Sequence, residues 1–118
     1  MSRLRTPRDN PREYKEGTKV RIFLGYSTDT EIHVREGVVL GHRHNRKWAG
    51  SDNLGRTGNA LVLRVEKTGE LRRGNPGEVS VSHSATNYLI VGYLEMHRLK
   101  KPYTRPYFYD CISGAERV

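Results

Sequence analysis

The sequence predicts an all-β fold, and three observations predict it. Apolar residues recur with a period of two in five short segments. No stretch sustains a period of 3.6. Glycine-rich breakers separate the segments, as turns between antiparallel strands do.

Residues 1–17 hold Pro7, Pro11 and Gly17, alternate their charges and show no apolar period. They read as an extended basic arm. In 19–24, Val20, Ile22 and Leu24 share one side and Arg21 takes the other, the pattern of a half-buried strand. A polar turn at 27–30 follows. In 31–43, Ile32 and Val34 alternate with His33 and Arg35, and Val38, Val39 and Leu40 come after Gly37. A glycine inside a strand pattern predicts a bulge or sharp bend at Gly37.

Residues 44–59 are rich in breakers, and their one aromatic side chain is Trp48. A connection of about sixteen residues is long for a small domain and marks a functional or unstructured loop. Leu61, Leu63 and Val65 then form a strand over 59–66, and 67–70 carry a hairpin-turn signal. Further strands are expected over 79–82 and 88–96. Beyond Leu99 two prolines predict an extended chain. The sum is a small five-stranded antiparallel barrel or sandwich, SH3-like or OB-like, over 18–99. The arm 1–17 precedes it, a long basic loop at 41–59 interrupts it, and an aromatic-basic tail at 100–118 follows.

A chain of 118 residues makes one domain, which can bury about two-thirds of its unfolded surface. The single Cys111 leaves no partner for an internal disulfide and no multi-cysteine metal site. No apolar run reaches the ~18–20 residues of a membrane helix, and no apolar segment follows the basic N-terminus as in a secretory signal. These features place the chain in a reducing compartment: the cytoplasm, or the inside of a virion or ribonucleoprotein particle. No membrane partner and no small-molecule substrate is indicated.

The net charge of +8 is unevenly distributed. Residues 1–19 carry +3, 41–59 carry +3 and 100–118 carry +2, whereas 20–40 carry −1 and 82–99 are neutral. A near-neutral body with basic attachments points to a polyanionic partner. In the loop, Arg43, Arg46, Lys47 and Arg56 are candidate phosphate contacts and Trp48 a candidate stacking platform. The tail repeats this pairing, with Lys100, Lys101 and Arg105 among Tyr103, Tyr107, Phe108 and Tyr109. Cations interleaved with aromatics suit single-stranded nucleic acid, because charge follows the backbone and every base has a π face. The plain alternatives are that Trp48 folds over one end of the barrel and that the tail aromatics pack on the domain's own sheet.

His42 and His44 form a His-x-His pair, and residues two apart on a strand share a face. With His83 they could hold one metal ion. The segments Gly37…His42-Arg43-His44 and Pro76-Gly77…His83-Ser84-Ala85-Thr86-Asn87 partly resemble the cupin family. That resemblance implies a β-barrel with a metal on His42, His44 and His83. Lys47 and Trp48 stand where the family carries a glutamate. Gly50 to Thr57 looks like a phosphate loop with Arg56 in place of lysine. The following residues alternate as a strand rather than opening a helix, which excludes a nucleotide hydrolase. Ser82 and His83 are neighbours on a strand and point apart, so they cannot form a nucleophile–base pair.

The expected function is therefore non-enzymatic binding of RNA or DNA, mainly through phosphates, with no cofactor. The rival is a structural protein of a large assembly, such as a virion or ribonucleoprotein, whose arm and tail clamp neighbouring protein subunits.

Overall fold

A computed structural model describes residues 9–25, 31–47, 57–73, 79–83 and 88–118. The described residues form six strands: β1 (Lys19–Leu24), β2 (Glu31–Lys47), β3 (Thr57–Arg73), β4 (Val79–His83), β5 (Tyr88–Phe108) and β6 (Ile112–Arg117). Short 3-10 turns at Pro11–Glu13 and Tyr109–Cys111 complete the described elements. The strands form one antiparallel sheet in the order β4-β5-β3-β2-β1-β6. The all-β class is as the sequence predicts, in a compact sandwich-type arrangement. One strand more is found than expected, because the tail after Leu99 continues β5 and then supplies β6.

Two cores occupy opposite faces of this sheet. On the front face, Val20, Ile22, Val39, Leu61, Leu63, Val65, Tyr107 and Ala115 pack with Tyr14 and Tyr109. On the back face, Phe23, Ile32, Val34, Leu71, Val79 and Val81 pack with Leu94 and Met96. Short β1 serves both, since Ile22 and Phe23 point apart and each is fully buried. Burying such a side chain contributes about 1.5–3 kcal/mol. Over the back core the sheet curls until the edge strand β4 approaches the opposite edge β6.

The long strands pass from one core to the other through register shifts. On β2 the shift lies between Glu36 and Gly37, where the sequence predicts a bulge. A Cβ on Gly37 would lie 1.9 Å from the carbonyl oxygen of Arg64, so only glycine admits this approach. The turn expected at 67–70 is absent, because β3 runs through it to Arg73. Gly69 instead lets β5 come close: a Cβ there would meet the Glu95 carbonyl oxygen at 2.0 Å.

The described part of the arm also differs from expectation. Tyr14 is 2% exposed in the front core. Its hydroxyl donates to Asp9 Oδ2 at 3.1 Å, and the same carboxylate accepts from the Arg117 amide at 2.9 Å. The Asp9 amide donates to the Ala115 carbonyl at 3.0 Å, which covers part of the β6 edge. Residues 9–17 and 107–117 are thus integral to the domain, although each reads in sequence as an attachment.

Candidate nucleic-acid interface

A row of ionic side chains crosses the back face where the two cores meet. Strand pairing aligns Glu116, Arg21, Glu36, Lys67 and Arg98 on β6, β1, β2, β3 and β5. Arg21 donates to Glu36 at 2.8 Å and to Glu116 at 3.0 Å, and Lys67 stands 3.6 Å from Glu36. Glu36 is buried, and its carboxylate is compensated by these two cations. The row holds three cations and two carboxylates. Arg98, at the end, has no ion-pair partner among the described residues, and its neighbour in the row is another cation.

That end is an edge. β4 pairs only with the first residues of β5, up to Gly92. Beyond Gly92 no described strand flanks the outer side of β5. The exposed segment 97–105 carries Arg98, Lys100, Lys101 and Arg105 and contains no carboxylate. Arg98 pairs with Lys67 and Tyr103 with Val65, so β3 advances two residues while β5 advances five. Leu99, Lys100, Lys101 and Pro102 are thrown out of the ladder opposite Glu66. Leu99 turns back onto the front core, while both lysines are exposed. Pro102 and Pro106 deprive this edge of two N–H donors, and with the lysines they block the addition of another strand.

Tyr103, Arg105 and Tyr107 follow on the front face, opposite Val65, Leu63 and Leu61. Tyr103 is 37% exposed. Tyr107 is buried in the front core, and the Arg105 guanidinium lies 5.9 Å from its ring centroid. Burial, followed by the nearby Tyr103 hydroxyl, pushes ionisation of Tyr107 well above the usual tyrosine range. The stacking role expected of Tyr107 is corrected accordingly: its ring is part of the core.

The loop residues are placed differently. Arg43 is exposed on the back side, in the row Arg43–Ala60–Phe108, away from the face that presents Tyr103 and Arg105. The backbone of Arg46 and Lys47 ends β2 opposite Gly58 and Thr57, and their side chains lie outside the description. Trp48 and Arg56 lie outside the described residues. Arg43 therefore lies on the face opposite Arg105 and on the same back face as Arg98. Arg98 was missed by sequence reasoning because Glu95 cancels it in a neutral segment.

Strand pairing sets the backbones of His42 and His83 near opposite ends of β5. His42 Nε2–H donates to the Tyr14 carbonyl at 2.6 Å, and Nδ1 accepts from the Tyr109 hydroxyl. These two bonds occupy both ring nitrogens and fix the orientation of the ring. His44 is exposed. The backbone of His83 lies on β4 opposite Tyr88, whereas His42 shares a row with Leu61 and Tyr107 near the other end of β5. Among the described residues no three His, Cys, Asp or Glu side chains gather as a metal site.

Comparison with protein-family models, with curated proteins and with solved structures finds no match to this chain.

Proposed function

We propose that this protein is a non-catalytic domain that binds RNA or DNA through phosphates along the outer edge of β5. The observation that carries this reading is the segment 97–105, with four exposed cations and no carboxylate on an edge barred to strand addition. The ionic row strengthens it. Its two carboxylates are already shared by Arg21 and Lys67, so Arg98 faces solvent as excess positive charge. A polyanion compensates such charge, and release of its counterions drives the association.

The assembly reading draws on free ends that reach out to neighbours. Residues 9–17 and 107–117 are committed to this domain's own core and edges, which favours the nucleic-acid reading. The test is binding of labelled oligonucleotides by fluorescence anisotropy. Lys100→Glu with Lys101→Glu should weaken binding at least tenfold while the melting temperature stays the same. Unchanged affinity in this double variant would refute the assignment.

A further inference from the structure

We propose that the ligand of the β5 edge is a single strand, with one unpaired base stacked on Tyr103 and phosphates on Lys100, Lys101 and Arg105. This rests on the nucleic-acid reading above and narrows it to one class of ligand.

The shape of the edge argues for one backbone. Arg98 and Arg105 pair with Lys67 and Leu63, four residues apart on β3. At ~3.4 Å per residue that is a span of about 14 Å. Lys100 and Lys101 project from the bulge within this span. A lone edge strand is about 5 Å wide. It meets one sugar-phosphate chain more readily than the two that flank a duplex groove, and it offers no helix or two-stranded ribbon to fill the ~12 Å major groove.

Tyr103 argues for an unpaired base. Tyr103 and Tyr107 share the front face four residues apart, with Arg105 between them. Tyr107 is buried and Arg105 lies over its ring, whereas Tyr103 is partly exposed at the bulge. Inside a duplex the faces of the bases are covered by their neighbours. A single strand can lay a base on Tyr103 while its flanking phosphates reach the lysines and Arg105.

The track is also short. Towards the start of β5 it meets Glu95, an exposed carboxylate that shares Arg72 with Glu70 and repels phosphate. Towards the end of β5 it meets Tyr107 and Phe108, both buried. A few nucleotides fill the distance between.

Binding of dT12 and of the dA12·dT12 duplex, measured by fluorescence anisotropy in one buffer, tests this. The single strand should bind at least tenfold more tightly than the duplex. Tyr103→Leu should weaken dT12 binding about fivefold or more, with melting temperature and salt dependence unchanged. Tyr103→Phe, which keeps the ring, should bind as the parent does. Equal or tighter binding of the duplex overturns the single-strand assignment and leaves the nucleic-acid reading standing, as does a Tyr103→Leu variant that binds dT12 normally. Failure of both oligonucleotides to bind overturns the two together.

Discussion

The segments 97–105 and 107–117 are built from the same kinds of residue and do opposite things. Both mix cations with aromatic or apolar side chains. In the first, four cations and Tyr103 stand at an edge that no described strand flanks. In the second, Tyr107, Tyr109 and Ala115 close the front core, and Arg117 is tied to Asp9 at 3.2 Å. The difference comes from pairing. Residues 112–117 find a partner in β1, and Tyr109 meets His42. The outer side of 97–105 has no described partner, and its prolines and lysines keep it so. An interleaved cation–aromatic pattern is therefore ambiguous until each residue has a row in the sheet.

The largest effect should come from removing the second segment. A chain ending at Phe108 loses β6, Tyr109 and Ala115, and should show no cooperative unfolding by circular dichroism in urea. Neutralising Lys100 and Lys101 should leave the parent transition intact. On a finer scale, Tyr107→Ala should cost about 3 kcal/mol or more, since it empties part of the front core. Tyr103→Ala, at the edge, should cost about 0.5 kcal/mol or less. Equal losses at the two tyrosines would erase the contrast.

The ionic row offers the same comparison across the sheet. Glu36→Ala leaves Arg21 and Lys67 without their shared buried carboxylate and should cost about 3 kcal/mol in urea denaturation. Arg98→Ala, at the outer end of the row, should change stability by about 0.5 kcal/mol at most.

A weaker effect should appear in alkali. Tyr14, Tyr107 and Tyr109 all ionise above the usual range in the folded chain. Burial is the main cause for each, with Asp9 adding to it at Tyr14 and Arg12 opposing it at Tyr109. The unfolded chain ionises first, near pH 10, so their contribution is complete below that pH and falls as pH rises. The expected slope is at most about 1.4 kcal/mol per pH unit for each tyrosine. Tyr107→Phe should flatten the slope above pH 10, and Tyr103→Phe should flatten it less, because it removes only the smaller contribution of its hydroxyl at Tyr107.

Much of this was legible in the sequence where the period was clean. The alternation of Val20, Ile22 and Leu24 identified β1, and the in-strand Gly37 identified the bend of β2. The lengths of β2, β3 and β5 were not legible. On β3 the buried residues change faces at the register shift after Val65, which breaks the period and makes the second half of the strand read as a turn. Gly69 carried a turn signal although its function is close approach of β5. Tyr14 is a single aromatic without periodicity, and only its bond to Asp9 and its seat beside Tyr109 make it core. Lys100, Lys101, Tyr103 and Arg105 were visible as candidates. Arg98 became visible only when pairing placed it at the end of a row whose carboxylates were already taken.

Whether the β5 edge engages phosphates is measured most directly by the salt dependence of dT12 binding. For a single strand the slope of log affinity against log salt is about −0.7 per phosphate. Lys100→Gln with Lys101→Gln should therefore make the slope shallower by about 1.4 relative to the parent. A parent slope near zero, or one that the double substitution leaves unchanged, would contradict the account.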